Sequence, residues 1–115
     1  MNLTFTGHRI VLQNLNNNVI ISSENRIICF AINTKYIALC KDWEYLKSLE
    51  NVSIYNLNGK LLFNLESPPK SLYKEMGYYS VLSFKSENIL TLQSGDYRYE
   101  YDLIKRKFIK EDFTK

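Results

Sequence analysis

The sequence is poorest in the residues that do chemistry. It holds one histidine, His8, and two cysteines, Cys29 and Cys40, in 115 residues. A single histidine excludes a His-pair metal centre, and two thiols are too few ligands for a structural metal site. Gly7, Gly59, Gly77 and Gly95 are the four glycines, and none belongs to a phosphate-cradling motif. No cofactor and no metal are therefore expected. No apolar run approaches the ~20 residues that span a bilayer, so no membrane association is expected. Met1 to Thr6 carries no charged leader, so the expected compartment is the cytoplasm, with both thiols reduced. Neither sign of charge dominates, with 15 Lys and Arg against 12 Asp and Glu, a net of +3. The densest basic run, Lys105-Arg106-Lys107, runs on to Lys110 and then into Glu111 and Asp112. It reads as a solvated turn, and no direct nucleic-acid binding is expected.

What is abundant is aromatic and β-branched surface. Aromatic residues make up 14% of the chain, with nine Tyr and six Phe. Such side chains suit a pleated, half-buried sheet. Three segments also repeat. They run Leu12 to Ile20, Ile54 to Leu62 and Glu100 to Ile109, anchored on Leu15, Leu57 and Leu103. The anchors lie 42 and 46 positions apart, within the ~40–50 residue period of stacked sheet repeats. Asn58-Gly59 between apolar flanks predicts a two-residue type I′ hairpin, and Asn16-Asn17 can turn in the same way. The third copy lacks both residues, so its turn should be longer or bulged.

A turn at 58–59 puts Val52, Ile54, Leu61, Phe63 and Leu65 on one face, with Tyr55, Leu57 and Leu62 on the other. In the first copy Ile10, Leu12, Val19 and Ile21 share a face. A further hairpin precedes each later copy. Phe30-Ala31-Ile32 and Ile37 match Leu82-Ser83-Phe84 and Ile89 at a constant offset of 52. The earlier hairpin is apolar on both faces. Ile28, Phe30, Ile32, Ile37 and Leu39 form one, while Cys29, Ala31, Ala38 and Cys40 form the other. A strand pair covered on both sides belongs in the middle of stacked sheets.

The Tyr-Asn-Leu, Asn-Gly and apolar-run pattern of 51–65 resembles a β-propeller blade, and that resemblance covers nearly the whole chain. Gly7-His8 and the reversed Asp42-Trp43 do not recur at the period, so the dipeptide marks of WD40 repeats are missing. The expected fold is all-β: an open, partial propeller-like array of about two and a half antiparallel blades in one domain. A half blade occupies about 3–22, and full blades occupy about 26–66 and 78–112. At most one or two short helical turns are expected, in 41–50 and 70–76. Too few blades to close a ring leave sheet edges and one blade face to be covered.

Candidate binding residues are aromatics in connections, flanked by charge. Asp42, Trp43, Glu44 and Tyr45 stand in the 41–50 insertion. Asp96, Tyr97 and Arg98 follow Gly95. Trp43 either anchors a partner or folds back on the core. Tyr101 matches Tyr55 in the repeat, so the tyrosines of 97–101 are read first as blade packing. Tyr73, Tyr78 and Tyr79 bracket a linker around Pro68-Pro69. Asp42 with Glu44, or Asp96 with Glu100, could flank a glycosidic bond only if they converged.

A chain of this length, rich in Asn, Lys and Ile, with blades and no evident active site, also resembles the small immunity proteins of contact-dependent growth inhibition. That resemblance implies a non-catalytic inhibitor that covers the active site of a cognate toxin domain, often a nuclease. Its charge departs from the pattern, because partners of basic nucleases are often acidic. The alternatives are a self-associating module, such as a homodimer, and a carbohydrate-active enzyme.

Overall fold

The computed structural model describes residues 2–13, 18–42, 50–69 and 79–113. The described residues form eleven strands. They are β1 (Asn2–Thr6), β2 (Arg9–Gln13), β3 (Asn18–Ser22), β4 (Ile27–Ile32), β5 (Tyr36–Lys41) and β6 (Val52–Asn56). They continue as β7 (Leu61–Asn64), β8 (Val81–Ser86), β9 (Ile89–Ser94), β10 (Tyr97–Asp102) and β11 (Lys107–Phe113). Three antiparallel meanders result: β1-β2-β3, β4-β5-β6-β7 and β8-β9-β10-β11. The expected all-β, propeller-like array is present. Its first sheet has three strands rather than half a blade. By the repeat, β1, β2 and β3 correspond to β5, β6 and β7, so the first sheet lacks a counterpart to β4 and β8. The expected helical turns lie mostly outside the described residues.

Most faces follow the sequence pattern. Ile10 pairs with Ile21 and Leu12 with Val19, and all four are buried. This register centres the first turn on 14–17 rather than on Asn16-Asn17, a region outside the described residues. The shift moves the pairing by two residues, which preserves the faces because side chains alternate with period two. In the next hairpin Cys29 pairs with Cys40 and Ile32 with Ile37, as a turn at 34–35 requires.

Turn 58–59 differs from the expectation. Only Gly59 has positive φ, at 85°, and the backbone of Asn56 donates to Lys60. This is a three-residue loop with glycine in the left-handed position, rather than a type I′ turn. Asn56 Oδ1 accepts from the amides of Asn58 and Lys60, at 2.9 and 3.0 Å, fixing the loop. A bulge between Ile54 and Tyr55 follows. It leaves Leu61 exposed while Leu62 joins Phe63 against the core, reversing the expected pair. A bulge at Ile27/Cys29 likewise buries Ile27 and exposes Ile28. The third copy has the longer loop expected of it, 103–106, with Arg106 at φ 54°.

Two apolar layers hold the sheets together. Ile10, Leu12, Val19 and Ile21 pack on Ile27, Ile37 and Leu39. Ala38, Cys40, Val52 and Ile54 pack on Leu82, Leu90, Leu92, Tyr99 and Tyr101. Gly59 sits against the first sheet, where a Cβ would come within 2.9 Å of Val19 Cγ1.

The two outer faces of the stack differ from what an open array suggests. Beyond β8–β11 the alternate positions are Val81, Ser83, Thr91, Gln93, Arg98 and Glu100. Lys85 and Lys110 lie 3.0 and 4.0 Å from Glu100 across that face. Beyond β1–β3 they are Thr4, Thr6, Val11, Gln13 and Ile20. These mostly polar faces resemble those of polar capping repeats.

The joint between the second and third sheets is polar and buried. Asn51, 0% exposed, donates to the carbonyls of Lys41 and Tyr79 at 3.0 and 2.9 Å. Its Oδ1 accepts from the Tyr79 amide at 3.1 Å. The Tyr79 hydroxyl donates to the Glu66 carbonyl at 2.8 Å. Tyr79 is therefore a buried pin rather than a linker aromatic free to bind.

Two outcomes follow from this packing. Gly59→Ala forces an alanine into the left-handed region and against Val19. It should cost about 1–3 kcal/mol in urea unfolding. Burial first, then nearby Tyr99 and Glu66, pushes the Tyr79 phenol above its ordinary value, and burial does the same for Tyr101. The folded state thus prefers neutral phenols. Their contribution is full below the ordinary tyrosine pKa of about 10 and is lost as pH rises above it. The urea midpoint should fall above about pH 10. Tyr79→Phe should lose about 1 kcal/mol at neutral pH and show a shallower alkaline fall.

Candidate functional site

Strand direction sorts the connections to two ends of the array. At one end lie the 41–50 insertion and the Gly95-Asp96 turn. At the other lie the turns after β2, β4, β6, β8 and β10.

Of the sequence-derived candidates, Asp42 and Asp96 fall at the first end. Asp42 is half-buried just after β5, and its amide donates to the Arg26 carbonyl at 2.7 Å. Trp43, Glu44 and Tyr45 lie outside the described residues. Asp96 is exposed in a two-residue turn in which Gly95 has φ 57°. Tyr97 is half-buried, stacked 6.3 Å from Tyr99 and 5.4 Å from Phe113. Arg98 is exposed on the outer face with Val81, Ser83, Thr91 and Gln93. Tyr97 and Arg98 therefore point to opposite sides of one sheet, as alternation requires. Asp42 and Asp96 stand on different sheets. Glu100, the other carboxylate considered with Asp96, is engaged by two lysines.

The opposite end holds a feature the sequence did not single out. A cleft of about 670 Å³ opens between the turn-end residues of all three sheets. Its apolar walls are Leu12 from β2, Ile32 from β4, Phe84 from β8, and Leu57 just beyond β6. Its rim is Asn33, Thr34, Ser86 and Glu87. Each apolar wall residue lies at or near a strand end, where the sheets fan apart and the packed layer opens.

The rim is held in place. Asn33 Oδ1 accepts from the amides of Lys35 and Tyr36, both at 2.8 Å, shaping its own turn. The Asn33 side-chain amide donates to the Glu87 carbonyl at 3.0 Å, tying the β4–β5 turn to the β8–β9 turn. Lys35 Nζ reaches Asn88 Oδ1 at 3.4 Å, and the Leu103 amide donates to the Asn88 carbonyl. Asp102 repeats the Asn33 device, accepting from the amides of Ile104 and Lys105 at 2.9 Å. Arg106 from that loop lies over the Phe63 ring at 4.3 Å, a cation–π contact between the second and third sheets.

Chemically, the cleft offers apolar area, two hydroxyls, one amide and one carboxylate. That composition suits an inserted apolar side chain, with polar groups at the mouth to orient it. Among the described residues no group of three His, Cys, Asp or Glu converges to hold a metal ion. No described helix is long and apolar enough to cross a membrane. One sequence signal could have pointed here. Ile32 and Phe84 are equivalent by the offset of 52 and lie close to matching turns.

No protein-family profile matches the sequence, and no curated protein matches it. Among solved structures the chain is similar to a crystal structure of HIRA(644-1017), with a TM-score of 0.64 at 12% identity. The match covers 90% of this chain and 29% of that one. The likeness is one of fold alone. It agrees with three stacked antiparallel meanders of propeller-like character. The chain spans less than a third of that structure's length.

Proposed function

We propose that this chain is a non-catalytic protein-binding module that works by covering a partner's surface. The observation that carries this reading is the turn-end cleft. It is apolar, built from three separate sheets, and its rim includes Asn33, whose side chain is already committed to fixed hydrogen bonds. A pocket ordered before binding lowers the conformational entropy lost on association. A buried apolar or aromatic anchor surrounded by polar contacts is how a few residues come to dominate an interface. The finer form of the proposal is an immunity protein that neutralises a cognate toxin domain, such as a nuclease, by occluding its active site.

The test is co-expression with the product of the neighbouring gene, followed by affinity purification and calorimetry. A stable complex with a toxin-like domain supports the proposal. Phe84→Arg places a charge in the cleft and should weaken binding by about 10–100-fold, the scale of losing one buried anchor. If Trp43→Ala abolishes binding while Phe84→Arg does not, the partner docks at the opposite end, near Asp42 and Asp96. If neither variant binds differently from the parent, the cleft reading is wrong.

Self-association is a second reading, favoured by β1. This edge strand, Asn-Leu-Thr-Phe-Thr, carries no charge and no proline, although exposed edges usually carry such protection. It borders the position where the first sheet lacks an inner strand. Leu3 and Phe5 are 38% and 41% exposed on it. Antiparallel pairing of two copies about Thr4 sets Leu3 opposite Phe5 of the second copy and Thr4 opposite Thr4. Light scattering at low micromolar concentration should then give a dimer that Thr4→Lys dissociates. A monomer for the parent chain rejects this reading.

A further inference from the structure

The two cysteines are brought together more closely than their spacing in sequence requires. Cys29 and Cys40 are direct partners across β4 and β5. Opposed residues in an antiparallel pair have Cα atoms about 4.5–5.5 Å apart, inside the range a disulfide spans. The two thiols lie close enough to perturb each other's ionisation. They also point together at the joint between the second and third sheets. Cys29 Sγ donates to the Ser80 carbonyl at 3.3 Å, and Cys40 Sγ to the Tyr79 carbonyl at 3.0 Å. Asn51 Nδ2 stands 3.3 Å from Cys40 Sγ. Cys40 is buried and Cys29 half-buried, next to the bulge that turns Ile28 out to solvent. One sulfur is therefore within reach of a small reagent and the other is shielded behind it.

We propose that Cys29 and Cys40 form a thiol–disulfide site that closes a reversible cross-strand disulfide by exchange with a low-molecular-weight disulfide. Cys29 is the attacking sulfur. Its thiolate displaces one half of the reagent as a thiolate and becomes a mixed disulfide with the other half. Cys40 then loses its proton to solvent and attacks Cys29 Sγ, releasing the second half. Two protein thiols are oxidised by two electrons, and one reagent disulfide is reduced to two thiols that take up the protons.

The asymmetry of the site fits this order. Cys40 beside it holds the Cys29 thiol below its ordinary value, outweighing its burial. The same closeness and burial push the Cys40 thiol up. Once Cys29 is capped, its charge no longer opposes ionisation of Cys40. Closure removes the sulfur donors from the Tyr79 and Ser80 carbonyls, so the redox state is felt where the third sheet begins.

The test uses the full chain and oxidised glutathione as the probe. Folded protein should lose both titratable thiols and become about 2 Da lighter, the mass of two hydrogens, while remaining one chain on a non-reducing gel. A reducing agent should reverse the change. Cys40→Ser cannot close the bridge and should stop at a glutathione adduct on Cys29. Cys29→Ser should react far more slowly, because its remaining thiol is buried. The proposal is overturned if the folded parent keeps two titratable thiols under conditions that oxidise the urea-unfolded chain. It is equally overturned if the product is a cross-linked pair of chains.

Discussion

The middle sheet must be apolar on both faces, and the rest of the molecule depends on that constraint. An antiparallel meander with one apolar face can rest on a single neighbour. A sheet with two apolar faces needs a neighbour on each side. The β4–β5 hairpin carries Phe30, Ile32, Ile37 and Leu39 toward the first sheet, and Cys29, Ala31, Ala38 and Cys40 toward the third. The side chains toward the third sheet are small. They leave room for the large Tyr79, Tyr99 and Tyr101 in the same buried layer, and close packing is what core stability requires. The outer sheets are each apolar on the face toward the middle sheet and mostly polar on the other.

Buried polar groups set the geometry of that stack more tightly than apolar contact could. Hydrophobic burial scales with area and has little direction. Asn51 supplies direction, because its amide meets donors and acceptors from β5 and from the start of the third sheet at the same time. Leaving any of these groups unmet in the interior would cost more than each bond contributes. Among the described residues no buried side-chain nitrogen or oxygen lacks a partner. The sheets are therefore fixed in relative position, and the cysteine pair lies at the same joint.

Much of this fold was legible, and the unread parts share one cause. Alternation identified the buried faces of β2, β3, β5 and β6, and the Cys29–Cys40 pairing followed from a turn at 34–35. Reading failed where two similar apolar residues stand side by side. Ile27-Ile28 and Leu61-Leu62 each flank a bulge. In each pair one residue is turned inward and the other out, and alternation cannot say which. Phe108-Ile109 behaves in the same way, with Phe108 on the core and Ile109 46% exposed. An extra residue in one strand leaves no compositional mark when its neighbour is an equally good core residue. The candidate site was less legible than the fold. Charged aromatics in connections drew attention to 42–45 and 96–98. The cleft is made of ordinary core residues at strand ends, and only the relative placement of three sheets makes them a cavity.

That placement also bears on where binding can occur. Flat outer faces rich in Thr, Ser, Gln and a lysine-bound Glu100 give up well-hydrated groups on contact and gain little apolar burial in return. The cleft is different, because Ile32, Leu57 and Phe84 line a concave apolar surface. Two of the turns that form its mouth are tied together by the Asn33 side chain. An end of the stack therefore gains more from a partner than a face does. This inverts the simplest view of an open array, in which the uncovered blade face seeks the mate. Here the faces are finished by polarity, and the unfinished surfaces are the turn-end cleft and the β1 edge.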